Sequence, residues 1–129
     1  MLYNRCKDSK MCLLFNNHLY EEAISRMDIR YSCNQRDFKR YTTEETRNEM
    51  LITGLYKADE MVAVYSHVDR MVTLGCMPVH EEVSIDKGID VWANFGTHYF
   101  LERREIGIFN IGDGAGTVTA DGKEYHLNY

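Results

Sequence analysis

The sequence is poor in proline and has no long apolar run. Its only proline, Pro78, leaves most of the chain free to form strands, and the strand-favouring residues Val, Ile, Tyr and Phe are plentiful. No apolar run approaches the ~20 residues of a membrane-spanning helix, which predicts a soluble chain without a membrane partner. A length of 129 residues allows one domain with one hydrophobic core.

The sequence also lacks an excess of basic residues. Lysine and arginine together number 15 against 20 aspartates and glutamates, so the formal net charge is −5. A nucleic-acid-binding surface needs a basic stripe that neutralises phosphates. We therefore expect no nucleic-acid partner.

The sequence lacks closely spaced pairs of cysteines. Cys6, Cys12, Cys33 and Cys76 lie far apart and form no Cys-x-x-Cys motif. The apolar stretch 13–15 is too short for a secretory signal. The pattern predicts reduced cytosolic thiols rather than a disulfide framework or a cysteine zinc site.

Residues 1–26 differ in character from the rest, because they show no sustained helical or strand period. Segment 21–23, Glu-Glu-Ala, can be encoded by a ribosome-binding sequence three codons ahead of Met27. We therefore predict a non-native or disordered leader over 1–26 and an incomplete amino-terminal domain over 27–129. The alternative is a genuine disordered or helical extension, since Glu-Glu-Ala also favours a helix.

The remainder predicts a short helix followed by many strands. Thr42 followed by Glu44 and Glu45 indicates a capped helix start. Asp121-Gly122 is a strong signal for a two-residue hairpin turn. Short strands at this spacing predict an all-β antiparallel sandwich or barrel. The predicted strands are 50–56, 61–65, 71–76, 82–85, 99–101, 106–111, 117–120 and 123–129.

Three motifs in order carry a family resemblance: Tyr-Ser-His-Val-Asp-Arg at 65–70, Tyr-Phe-Leu-Glu-Arg-Arg-Glu at 99–105 and Asn-Ile-Gly-Asp-Gly-Ala-Gly-Thr at 110–117. Together they resemble the amino-terminal half of the 5-keto-4-deoxyuronate isomerases, also called 4-deoxy-L-threo-5-hexosulose-uronate ketol-isomerases. The resemblance runs from about Met27 to Tyr129. The start of this family's proteins also matches Met27, which supports the leader hypothesis.

The resemblance implies a cupin-like β-barrel, or jelly roll, that is the first barrel of a truncated bicupin. It also implies a hexamer in the bacterial cytoplasm that acts in pectin and uronate degradation. The family converts the small-molecule keto-uronate 5-dehydro-4-deoxy-D-glucuronate into 3-deoxy-D-glycero-2,5-hexodiulosonate, an aldose–ketose isomerisation. Its zinc is bound by three histidines and a glutamate of the carboxy-terminal barrel, which is absent here. We therefore expect no cofactor in this chain and no activity from it alone.

An aldose–ketose shift needs a base tuned near neutral pH and a group that holds the developing oxyanion. No residue of this chain is assigned as catalytic. His67, Asp69 and Arg70 are predicted to contact substrate, because they follow a strand and an arginine can bind a carboxylate through two hydrogen bonds. The alternative is an ion-paired turn that holds two strands or a subunit contact.

Glu102 and Arg104 are the other substrate-binding candidates. If 99–105 is a strand, Glu102 and Arg104 share one face, and Arg103 and Glu105 share the other. The alternative is a structural charge network, for example between two barrels.

Glu105 is a weak candidate metal ligand, because it lies ahead of Gly112 where a cupin glutamate would occur. However, 99–101 is Tyr-Phe-Leu where a metal-binding cupin carries histidines. We therefore predict a barrel without metal, against the alternative of a site built from His98, Glu105 and another histidine. The chain is interpreted as a piece of the isomerase; the alternative function is a non-catalytic cupin-like sugar-binding or structural module.

Overall fold

The computed structural model describes residues 2–4, 10–12 and 27–128. The helices of this part are α1 (Gln35–Phe38), α2 (Thr43–Met50) and α3 (Val91–Phe95), with a 3₁₀ turn at Ile85–Lys87. The strands are β1 (Leu2–Asn4), β2 (Lys10–Cys12), β3 (Met27–Arg30), β4 (Met61–Ser66), β5 (Met71–Cys76), β6 (Ile108–Asn110), β7 (Gly116–Ala120) and β8 (Lys123–Leu127).

The strands form two sheets. The larger has the order β3-β4-β5-β1-β6, and the smaller has the order β2-β7-β8. Two antiparallel hairpins, β4–β5 and β7–β8, connect strands that are neighbours in sequence. The remaining pairings are parallel: β3 with β4, β1 with β5 and β6, and β2 with β7. The described part is thus a small, mostly β domain, in which the expected antiparallel pairing holds for the two hairpins but not for the other strand pairs.

The hydrophobic core lies on one face of the β4–β5 hairpin. Side chains of alternate positions meet there because successive residues of a strand point to opposite faces. The segment between β5 and β6 covers this face with apolar residues, and Val118 of β7 joins them. The buried core members are Met27, Met61, Ala63, Val72, Leu74, Cys76, Val83, Ile85, Ile89, Val91, Phe100 and Val118.

The predicted helix start at Thr42 is confirmed. The Thr42 hydroxyl accepts a hydrogen bond from the Glu45 amide at 3.2 Å, and the Glu45 carboxylate accepts one from the Thr42 amide at 2.7 Å. This reciprocal pair is a capping box. Helix α1 was not predicted; it begins where the Asn34 side chain accepts a hydrogen bond from the Arg36 amide.

Two predicted strands, 50–56 and 82–85, were wrong. Residues 51–57 are irregular, and Gly54 adopts a positive φ of 69° that interrupts an extended strand. In the second segment, Ser84 accepts a hydrogen bond from the Asp86 amide and starts the 3₁₀ turn. In this segment a local hydrogen bond between side chain and backbone forms instead of the hydrogen bonds to a neighbouring strand.

The predicted strand 99–101 was also wrong. Residues 100–103 form turns, in which the Glu102 amide donates to the Tyr99 carbonyl. The preceding α3 was missed, although its signals are present: Asp90 caps the Ala93 amide at 2.8 Å, and Gly96 ends the helix with φ 62°.

The other strand predictions are confirmed. Strands β4 and β5 lie where alternation placed them, and the later strands β6, β7 and β8 fall within or beside their predicted ranges. Asp121 and Gly122 adopt φ values of 50° and 72°, as a type I′ hairpin turn requires.

Part of the predicted leader 1–26 is described. Leu2–Asn4 pairs between β5 and β6, and Lys10–Cys12 pairs with β7. The rest of 1–26 lies outside the described residues, so the start at Met27 stays a prediction. In the part of the chain that the structure describes, no helix is long and apolar enough to cross a membrane.

Candidate functional site

The turn between β4 and β5, residues 67–70, carries three of the predicted site residues. The backbone amide of His67 donates to the Arg30 carbonyl at 2.8 Å, which ties the turn to β3. Arg70 adopts a left-handed φ of 57°, which is uncommon for a residue with a side chain. The turn therefore holds its side chains in a defined arrangement.

His67 packs among aromatic rings. Its imidazole stacks on Tyr31 with ring centroids 5.0 Å apart and an interplanar angle of 9°. The Tyr65 ring meets the imidazole edge-on at 4.7 Å. These contacts fix the ring orientation and leave His67 at the surface of the domain.

Asp69 stabilises the turn itself. Its carboxylate accepts a hydrogen bond from the Met71 amide at 3.2 Å. Hydrogen bonding from the Ser66 side chain, with the Met71 amide adding to it, lowers the pKa of Asp69 against the opposing effect of burial. An ionised Asp69 that accepts bonds from its own turn fits the structural alternative better than substrate contact.

A cavity of about 250 Å³ opens beside the turn. Apolar side chains of β5 form much of its wall, and three charged side chains join them. The lining residues are Arg70, Met71, Val72, Leu74, Phe100, Arg104, Glu105 and Ile106. The cavity therefore places two cationic side chains and one carboxylate beside an apolar wall.

Arg104 is held against an aromatic ring at this cavity. Its guanidinium carbon lies 3.9 Å from the centroid of the Phe95 ring. Phe95 is in turn met edge-on by Tyr65 at 6.0 Å and by Phe100 at 5.8 Å. The cation–π contact holds the guanidinium over the Phe95 ring.

The structure divides the predicted substrate-binding residues. Arg70 and Arg104 line the same cavity. Glu102 does not line it; its carboxylate accepts a hydrogen bond from the His98 amide at 2.8 Å and lies 3.8 Å from the Arg103 guanidinium. His67 and Asp69 belong to the adjoining turn and are also absent from the lining.

The predicted alternation of charges over 102–105 was wrong. A strand would have placed Arg104 and Glu105 on opposite faces, yet both line the cavity. The reason is the turn at 100–103, which removes the two-residue period on which the prediction depended.

Residues 27–128 contain no group of three or more His, Cys, Asp or Glu side chains placed to hold a metal ion. Glu105 shares its cavity with two guanidinium groups rather than with further ligands. His98 instead stacks on Trp92, with centroids 5.1 Å apart. The resemblance places the family's zinc in a carboxy-terminal barrel, so no residue of the described part is assigned to that metal.

Asp59 is an organising residue that sequence reasoning missed. One carboxylate oxygen accepts hydrogen bonds from the amides of Val79 at 2.7 Å, His80 at 2.8 Å and Glu81 at 3.1 Å. The other lies 2.8 Å from the His80 Nδ1 atom. These hydrogen bonds, those from His80 and Val79 foremost, hold the pKa of Asp59 far below its ordinary value. Asp59 thereby anchors the segment that follows β5.

Comparison with known proteins supports the resemblance that the motifs indicated. Proteins named 4-deoxy-L-threo-5-hexosulose-uronate ketol-isomerase match over 103 residues, at 48% identity in Lachnospira eligens, 45% in Lachnoclostridium phytofermentans and 46% in Escherichia coli strain SMS-3-5. Each match covers 80% of this chain but only 35%, 36% and 36% of the respective relative. The chain thus spans about a third of the length of these relatives. No family model matches the chain.

Proposed function

We propose that this chain forms the amino-terminal part of a 4-deoxy-L-threo-5-hexosulose-uronate ketol-isomerase. The observation that carries the proposal is the 48% identity over 103 residues to the isomerase of Lachnospira eligens. The reaction is the aldose–ketose interconversion of 5-dehydro-4-deoxy-D-glucuronate and 3-deoxy-D-glycero-2,5-hexodiulosonate. The proposal includes a cupin-like jelly roll as the first of two barrels, hexameric assembly and a cytoplasmic location.

In this proposal the chain contributes binding and orientation rather than proton transfer. Isomerisation through an enediolate needs a base and a stabilised oxyanion. The described residues contain no cluster of side chains that could bind a metal ion. Among the residues that line the cavity there is also no base hydrogen-bonded to a second group that would orient it. They do supply two arginines, Arg70 and Arg104, which suit the carboxylate that every uronate carries. We assign the zinc and the proton-transfer groups to the remaining two-thirds of the enzyme.

The experiment is a segment exchange. The 103 matched residues of this chain replace their counterparts in the isomerase of Lachnospira eligens, and the hybrid is assayed for isomerisation of the keto-uronate. Because the exchanged residues are about half identical, a shared role predicts a folded hybrid with turnover within about tenfold of the parent.

A hybrid that melts cooperatively, assembles like the parent and has lost turnover would contradict the proposal. Such a result would favour the alternative of a non-catalytic sugar-binding or structural module. The unmodified 129-residue chain serves as a second sample, and we expect no turnover from it.

A further inference from the structure

Two cationic side chains at the cavity have no anionic partner in the described residues. Within 27–128, the guanidinium groups of Arg70 and Arg104 form no ion pair with Asp or Glu. Glu105, the acidic residue of the lining, forms none either. This arrangement occurs in a chain whose net charge is −5, so acidic partners are not scarce.

The position of Arg104 makes the absence of a partner informative. Arg104 is only partly exposed, and its cavity is walled by Val72, Leu74 and Phe100. A partly buried cation loses some of its hydration, and an anion that enters the cavity compensates for that loss.

Phe95 determines where the Arg104 charge lies. The guanidinium carbon is 3.9 Å from the ring centroid, and the ring is fixed from two sides by Tyr65 and Phe100. Because the guanidinium is already held in place before an anion binds, the Arg104 side chain loses less conformational entropy on binding. Phe95 is therefore a positioning residue for Arg104.

We infer that this cavity is a carboxylate-binding subsite in which Arg70 and Arg104 bind the anion and Phe95 holds Arg104 in place. Two guanidinium charges and the Glu105 carboxylate suit a singly charged carboxylate better than a phosphate dianion, because Glu105 repels the second negative charge. That the carboxylate is the one on the keto-uronate rests on the proposed function. An acidic side chain of a second copy is the other source of the same chemistry.

The first test measures binding of D-glucuronate to the full 129-residue chain by saturation-transfer NMR. D-Glucose is the uncharged comparison, and glucose 1-phosphate is the dianionic one. We expect glucuronate to bind about tenfold tighter than either, since a charge-assisted hydrogen bond contributes at least that factor. Raising the salt concentration weakens glucuronate binding, because part of the site is exposed.

Variants then assign the effect to residues. Arg70→Gln and Arg104→Gln are each expected to weaken glucuronate binding by about tenfold. Phe95→Leu is expected to weaken glucuronate binding by a smaller factor. Phe95→Trp keeps an aromatic face and is expected to bind glucuronate as the wild type does. Arg36→Gln, on helix α1 and away from the cavity, is the matched control and leaves binding unchanged. Because Arg70 is exposed, its variant tests the site even if Arg104→Gln fails to fold.

Equal binding of glucuronate and glucose, or glucuronate binding that survives Arg70→Gln, would overturn the subsite. The source of the carboxylate is decided in the hybrid isomerase. If Arg104→Gln raises KM and retains kcat, the carboxylate bound at the subsite is that of the substrate. If the variant instead alters assembly at an unchanged KM, the bound carboxylate is an acidic side chain of a second copy, and the assignment to substrate is overturned. Loss of the subsite while the hybrid stays active leaves the proposed function standing, so the two failures are distinguishable.

Discussion

Asp59 lies outside the candidate site and fixes the backbone that follows β5, a strand that lines the cavity. It has a left-handed φ of 58°, and its own amide donates to the Met77 carbonyl at 2.9 Å. Its carboxylate meanwhile accepts the three successive amides after Pro78. The segment leaving β5 is therefore fixed by one ionised side chain.

Replacing Asp59 with Asn should lower the melting temperature at neutral pH. Asparagine tolerates the same left-handed backbone, so the substitution mainly removes the charge that strengthens these hydrogen bonds. The pKa of Asp59 is lowered on folding, so its contribution is fully present above the ordinary value of 3.8 and is lost as the pH falls below it. Thermal melts from about pH 7 down to about pH 3 measure this.

Asp121→Asn provides the control for that series. Asp121 also has a left-handed φ, 50°, but lies in the exposed β7–β8 turn. We expect Asp121→Asn to melt like the wild type at every pH. A deficit of Asp59→Asn that is as large at about pH 3 as at neutral pH would contradict the charge-based account.

At the residue scale, the sequence pointed to two of the three charged residues that line the cavity but not to the residues that organise them. Arg70 and Arg104 were predicted from residue type and motif. Phe95 lies in a helix that was missed, and its contact with Arg104 depends on a turn that was predicted as a strand. Asp59 contacts residues about 20 positions away, and no local pattern reports such a contact.

At the scale of elements, local signals succeeded where the cause is local. The capping box of α2 and the Asp121-Gly122 turn each depend on residues within four positions of one another. The strand predictions at 50–56 and 99–101 failed because an apolar or aromatic run does not reveal whether a neighbouring strand is available to pair with it.

The cap of α2 gives a second prediction. Helix α2 buries none of its residues, so packing compensates little for the loss of its cap. Thr42→Ala should lower the free energy of unfolding by about 1 kcal/mol, since the Glu45 amide loses its acceptor. Urea unfolding measures this, and Thr43→Ala, one residue into the helix, is the control. Equal free energies of unfolding for Thr42→Ala and the control would show that the cap does not stabilise the domain.

The contact between β5 and the irregular segment 51–57 gives a third prediction. A Cβ atom at Gly75 would lie 2.6 Å from the Leu55 carbonyl carbon, closer than real contacts allow. Gly75→Ala should therefore destabilise the fold by at least about 1–3 kcal/mol, through overpacking against backbone.

Gly107→Ala is the matched control for the glycine series. A Cβ there would meet only the Phe109 ring at 3.5 Å, an ordinary contact. Its free energy of unfolding should change by less than about 1 kcal/mol in urea. If the two alanine variants unfold at the same urea concentration, segment 51–57 does not pack on β5 as described.

For the whole molecule, the sequence predicted a β domain but not its pairing. Hairpin pairs follow from short turns, whereas the parallel pairing of β3 with β4 joins strands separated by both helices α1 and α2. The covering segment between β5 and β6 contributes Ile85, Ile89 and Phe100 to the core from irregular backbone and turns. Periodicity cannot identify such residues, because they have no period.

The most direct test of the central claim is the turnover of the hybrid isomerase that carries the 103 matched residues of this chain. We predict that the hybrid isomerises the keto-uronate and that Arg104→Gln within it raises KM by about tenfold while kcat is largely retained. A hybrid that is folded and assembled yet converts no keto-uronate would contradict it.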